Sequence, residues 1–163
     1  MDRNQKRLSR CISLQVYYAW IISESHPKDL LKYFKNLPKS DLYEVLNNDK
    51  ITDEYNLELT DSILDYSYKL IESTIHKSDD IDSFISSKLK NWDLKRIALI
   101  DKLILRLSIN EMFYFDEVPP KVSIVEGVEI SKIFGNDQSS AFINGVLDSI
   151  YNDYKNKELE KLN

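Results

Sequence analysis

The chain has 163 residues, 22 of them lysine or arginine and 27 aspartate or glutamate, for a formal net charge of −5 at pH 7. That length suits one ordinary domain or two small subdomains sharing a core, and the acidic balance argues against a protein that coats nucleic acid indiscriminately, which needs widespread phosphate neutralisation. Three glycines and four prolines are too few for the turns of a sheet, so the expected fold class is all-α. No apolar run approaches the roughly 20 residues of a membrane span, and no apolar signal segment follows the charged start, so a cytoplasmic protein without membrane contact is expected. The single cysteine, Cys11, excludes an internal disulfide and a multi-thiolate zinc site.

From Asn4 to Ser23 the apolar residues Leu8, Ile12, Val16 and Ala19 recur at helical spacing, and His26-Pro27 closes that helix. Lys28 to Asn48 is broken by Pro38, with Ser40 and Asp41 able to cap a restart, which predicts two short helices. Thr52 and Asp53 precede a run holding Leu57, Leu59, Ile63, Leu64, Tyr66, Leu70 and Ile71, which predicts a helix of roughly five or six turns ending near His76. Asp79 and Asp80 open a shorter helix through Leu89. Asn91-Trp92-Asp93 offers a cap for a helix carrying Ile97, Ile100, Ile104, Leu107 and Met112. Pro119 and Pro120 stop it, Pro120 is placed to begin the next, and Gly135 must end that one in a left-handed conformation. Asn136 and Asp137 offer N-caps for a last helix whose Ile143, Val146, Leu147, Ile150, Tyr151 and Tyr154 form a stripe facing one core. The break near residues 77 to 80 predicts helical subdomains of about 1–78 and 79–155, followed by a Lys-, Asn- and Glu-rich tail, 156–163, that frays.

Arg3, Lys6, Arg7 and Arg10 are spaced i, i+3, i+4 and i+7 and fall on one stripe if the first helix reaches that far. Such a stripe can line phosphates, and single-stranded RNA also needs aromatic platforms. Tyr17 and Tyr18 lie farther along at the margins of the stripe, and Tyr18, close to Arg7 around the helix axis, is the expected platform. The charges alone fit a solvated helix start equally well. In Asn144-Gly145 a mid-helix glycine costs roughly 1 kcal/mol against alanine, so close backbone packing is expected there. Phe142 reads as core or as a stacking platform. Arg106, amid Ile104, Leu105, Leu107 and Ile109, must pair or reach solvent, and reads as an ion-pair member with Glu111 or Glu126 as candidate partners. Glu126 and Glu129 share a helix face, but no Glu-x-x-His unit exists and His26 and His76 are the only histidines, so neither a metal centre nor a Ser-His-Asp site is built. Three scattered glycines cannot make a phosphate loop. No enzyme and no cofactor is expected.

The stretch Val118-Pro-Pro-Lys-Val-Ser-Ile-Val-Glu-Gly-Val-Glu-Ile-Ser-Lys-Ile-Phe-Gly135 is followed by Phe142-Ile-Asn-Gly-Val-Leu-Asp148. With Leu105-Arg106-Leu107, Glu111 and the basic opening segment, it resembles the NusB family of bacterial transcription antitermination factors. The resemblance spans nearly the whole chain and is dense from about Trp92 to Ile150. It implies a bundle of about seven helices in two subdomains. It also implies RNA binding through an arginine-rich first helix, where Lys6, Arg7 and Arg10 match the family's motif and Leu8 stands where another basic residue is common. Arg3 and Tyr18 adjoin that motif, and an aromatic at the place of Phe142 lies beside the family's RNA surface. Asp101 falls where the family has an acidic residue at its interface with the ribosomal protein NusE, and Gln138 falls beside that interface. Val125 replaces a common asparagine.

The implied activity is recognition, with NusE, of the single-stranded boxA element of nascent RNA. That complex would join the RNA polymerase antitermination assembly and promote transcription of ribosomal RNA operons. Monomer and homodimer both remain open. The same helical domain opens a family of ribosomal RNA cytosine methyltransferases, but the chain ends before such a domain and holds no Gly-rich cofactor loop or catalytic cysteine pair. A helical adaptor that binds only protein is the third reading, and steeply salt-dependent RNA binding would exclude it.

Overall fold

A computed structural model of the chain describes residues 1–38, 59–89 and 94–162, with side chains to 156. Among these residues there are seven α-helices, one short 3-10 turn and no strand, an all-α fold. The chain divides into two compact units, Met1–Ile75 and His76–Asn163.

The first unit opens with α1, Arg3–Ser23, which begins one residue earlier than its apolar pattern because Asp2 caps it. The Asp2 carboxylate accepts the Gln5 N–H at 2.8 Å and the Gln5 side chain accepts the Asp2 N–H at 3.0 Å, so two orphan donors are satisfied reciprocally. The helix ends at Ser23, where the apolar pattern ends, and not at His26-Pro27. Glu24 ends it in the left-handed region, φ 57°, with its N–H on the Trp20 carbonyl, and His26-Pro27 instead opens α2, Pro27–Asn36. His26 Nδ1 accepts the Lys28 N–H at 3.2 Å, and Pro27 supplies the fixed φ of the first turn. The second short helix expected after Pro38 lies outside the described residues. Residues 59 and 60 are not helical, so the long run starts at Asp61 as α3, Asp61–His76, with the Thr60 carbonyl accepting from Ile63 and Leu64.

Small hydroxyl residues let α1 and α3 approach closely. Ser67 Oγ lies 2.9 Å from both the Ser9 and the Ile63 carbonyl, and Ser13 Oγ donates to the Ser9 carbonyl at 2.8 Å. All three serines are fully buried beside Leu8, Ile12, Val16, Ile63, Leu70 and Ile71, so their polar atoms are paid for by internal hydrogen bonds rather than by water.

The second unit comprises α4, Ser78–Lys88, the turn Leu94–Arg96, α5, Leu99–Tyr114, α6, Pro120–Phe134, and α7, Ser139–Leu162. Ile97 precedes α5 instead of lying within it, because Ala98 takes the N-cap. Helices α5, α6 and α7 pack on one another, and α4 lies against α5 and α7. Leu103, Ile104, Leu105, Ile109, Ile143 and Leu147 form the fully buried centre. Arg106 pairs with Asp82 of α4, a partner not among the two glutamates expected. Its Nε and Nη2 reach the two carboxylate oxygens at 2.8 and 2.6 Å, a bidentate fork. Glu111 is turned inward, where it accepts the Ser123 hydroxyl at 2.8 Å and ties α5 to α6.

Gly135 ends α6 in extended backbone, φ −89° and ψ −171°, not in the left-handed region. Glycine is required there for space: a Cβ would stand 2.5 Å from the Ser139 side chain and 2.7 Å from the Ser131 carbonyl. Asn136 then turns the chain into α7, donating its N–H to Ser139 Oγ and accepting the Gln138 N–H, both at 2.9 Å. Along α7 the buried stripe stops at Ile150. Tyr151 is half-buried and Tyr154 exposed, and the helix extends to Leu162. The close packing expected at Gly145 is not found, since nothing lies within 4 Å of where its Cβ would be.

Candidate nucleic-acid and partner surfaces

Because α1 starts at Arg3, the basic spacing is realised on one helix, but its four members do not share one environment. Arg3 is exposed, and Lys6 and Arg7 are half-buried. Arg10, expected on the same open stripe, is only 5 % exposed. Residues 8 to 14 are all buried, so α1 is covered on every side along that stretch and Arg10 is enclosed with Ser9, Cys11 and Ser13. The run of small, uncharged residues around Arg10 was the signal for this in the sequence. Three cations therefore remain at the accessible end, where the positive end of the helix dipole adds to their field. Lys6 Nζ stands 5.7 Å from the centre of the buried Tyr66 ring of α3, which holds its stem against the protein. The Lys6 and Tyr66 pairing has no signature in the spacing of either helix.

The two tyrosines of α1 separate cleanly. Tyr17 is buried and stacks on Trp20 with ring centres 5.7 Å apart, whereas Tyr18 is 41 % exposed. Tyr18 lies about 20° from Arg7 around the helix axis and roughly 16 Å along it.

In the second unit, Phe142 is half-buried on the first turn of α7. With Lys88, Leu89, Ala141, Gly145, Val146 and Ser149 it lines a groove of about 480 Å³. The Lys88 ammonium is bound by Asp153. The open face of Gly145 forms part of this groove, which sequence spacing did not reveal. Asp101, in the first turn of α5, is 7 % exposed, and its Oδ1 is buried without a hydrogen-bond partner among the described residues. That differs from the open surface position which an interface carboxylate suggests. Gln138 is exposed in the turn before α7.

Among the described residues no group of three or more His, Cys, Asp or Glu could hold a metal ion, and no helix is long and apolar enough to cross a membrane.

Residues 7–152 match the family model of the NusB family. The transcription antitermination protein NusB of Chloroherpeton thalassium is 50% identical over 93 residues, which are 57% of this chain and 44% of that relative. The same protein of Clostridium tetani is 34% identical over 148 residues, 90% of this chain and 97% of that relative. A solved structure of the antitermination factors NusB and NusE in complex with dsRNA contains a chain that superposes with a TM-score of 0.69 at 21% identity. The match covers 94% of this chain and 100% of that chain, and at this identity it speaks for the fold. NusB proteins are antitermination factors and not enzymes. With the family model spanning most of its length and a relative 34% identical over 90% of it, the chain belongs to the NusB family.

Proposed function

We propose that this chain is a cytoplasmic, non-enzymatic antitermination factor that binds single-stranded boxA RNA together with NusE. The complex then joins RNA polymerase and suppresses premature termination, chiefly in ribosomal RNA operons. The observation that carries this reading is the accessible end of α1, where Arg3, Lys6 and Arg7 concentrate positive charge on a chain of net charge −5. Phosphates meet the cations, and Tyr18 offers an exposed ring to an unstacked base. Phe142, in its groove, is a further RNA contact on the ground of the family resemblance. Asp101 and Gln138 are the proposed NusE contacts. Recognition and assembly are the whole mechanism, and no bond is made or broken.

The direct test is the affinity for a boxA oligonucleotide with and without NusE, over a series of salt concentrations. Binding that weakens steeply with salt and tightens with NusE is expected. NusE binding without any RNA binding would leave the protein-only adaptor reading in its place.

Two substitutions separate the roles of neighbouring residues. Tyr18→Ala is expected to weaken RNA binding by about 1–3 kcal/mol with an unchanged melting temperature. Tyr17→Ala, which empties a buried site, is expected to cost about 3–5 kcal/mol of stability. A large loss of stability in Tyr18→Ala would move that residue to the core. Asp101→Asn preserves size and removes charge, so NusE affinity should fall roughly tenfold if the carboxylate meets a basic group of the partner. The melting temperature should hold, because a neutral amide is cheaper to bury than a carboxylate. Undiminished NusE affinity in calorimetry would remove Asp101 from the interface.

A further inference from the structure

The second unit exposes five large hydrophobic side chains among its described residues, Phe84, Tyr114, Val122, Val125 and Tyr154. Phe84 and Tyr154 belong to a single strip, which Tyr114 adjoins. Phe113 joins Phe84 of α4 to Tyr154 of α7, with ring centres 5.3 and 4.9 Å apart, and Tyr114 follows Phe113 at the end of α5. Core packing does not call for these rings. The buried residues of α5 end at Met112, and the buried stripe of α7 ends at Ile150.

Charge says what could cover the strip. Two lysines that border it are already engaged, since Lys77 Nζ sits 4.5 Å over the Tyr114 ring and Lys88 is bound by Asp153. Asp79, Asp80, Asp116 and Glu117 are all exposed on the adjoining turns. Asp80 lies one helical turn before Phe84 on the same face of α4. Its charge also reaches Tyr114, whose hydroxyl is held above its ordinary pKa by burial first and by Asp80 second. Exposed rings bordered by carboxylates repel phosphates and attract cations that can stack. Arginine meets both demands, because its planar guanidinium lies on an aromatic face while its fork pairs with carboxylates.

We propose that the strip of Phe84, Phe113, Tyr114 and Tyr154 is a docking surface for an arginine-rich segment of a partner protein, with Asp80, Asp116 and Glu117 pairing its guanidinium groups. It is separate from the proposed NusE contact at Asp101, which lies twelve residues, roughly 18 Å, away along α5. The surface therefore adds a second protein partner, or a second segment of one, to a chain whose RNA contacts are cationic.

The test uses the full chain and a fluorescent peptide of alternating arginine and alanine, beside its lysine counterpart. Anisotropy should show the arginine peptide binding about threefold or more tighter than the lysine peptide. Phe84→Ser with Tyr154→Ser, and separately Asp80→Lys with Glu117→Lys, should each weaken the arginine peptide about tenfold. Asp65→Lys, an exposed reversal in the first unit, should leave it unchanged. Equal affinity for the two peptides, unmoved by loss of the rings, would reduce the effect to diffuse charge attraction and overturn the proposal. So would self-association of the chain that disappears in the ring variant, or an RNA oligonucleotide whose affinity falls in it. Circular dichroism confirms folding of each variant, and the charge-reversed pair decides the matter if the ring variant is unfolded.

Discussion

Reversing Arg3, Lys6 and Arg7 to glutamate together is expected to lower the affinity for a single-stranded boxA oligonucleotide about a hundredfold at roughly 0.1 M salt. Each phosphate contact to a single strand contributes about 0.7 to the slope of log affinity against log salt, so losing three removes about two units, or about two decades at that concentration. The slope is the sharper observable, because a fold defect lowers affinity without selectively flattening it. Arg10 is left out of the set. At 5 % exposure its reversal would bury an opposite charge and damage the fold, and the binding measurement would no longer report on RNA. A slope equal to that of the unaltered chain would withdraw the basic end of α1 from the RNA site.

The two glycines inside helices should respond to added side chains with opposite signs. At Gly127 a Cβ would stand 2.5 Å from Ser108 Oγ and 3.2 Å from Leu147 Cδ1, so α5, α6 and α7 meet there with no spare room. Gly127→Val is expected to cost about 2–3 kcal/mol through overpacking, seen as a fall in melting temperature of roughly 5–10 °C for a chain of this length. At Gly145 a Cβ meets nothing within 4 Å. Gly145→Ala should therefore stabilise by about 0.5–1 kcal/mol, the ordinary gain in helix propensity. Thermal denaturation followed by circular dichroism reads both. A destabilised Gly145→Ala, or a neutral Gly127→Val, would contradict the packing described.

The sequence resolves features whose cause is local and loses those whose cause is a neighbour distant in the chain. Pro120 opens a helix because a proline ring fits the first turn whatever surrounds it, and Ile143, Val146, Leu147 and Ile150 declare a buried face by their spacing alone. Gly135 was legible as a necessary glycine, but for the wrong reason. Its need arises from Ser139, four residues on, and not from its own φ. The partner of Arg106 lies on α4, 24 residues back, where nothing in the sequence favours Asp82 over the nearer Glu111. In the candidate site, spacing placed the cations and tyrosines of α1 on a helix. It favoured Tyr18 over Tyr17 through the angle to Arg7, but could not tell Arg7 from Arg10, because that distinction depends on how far around the helix the rest of the protein reaches. The acidic and aromatic strip has no signature in residue spacing, because its members come from three helices.

The enclosed middle of α1 has a consequence for the energetics of binding. With residues 8 to 14 gripped on all sides, the helix behaves as a fixed ruler, and the interval from Arg7 to Tyr18 is set before any ligand arrives. Little chain entropy remains to be lost when RNA engages both marks, so more of the contact energy appears as affinity. The same rigidity works in reverse. A ligand held at both ends of the ruler opposes any opening of the segment between them, so RNA should slow amide hydrogen exchange along the buried residues 8 to 14.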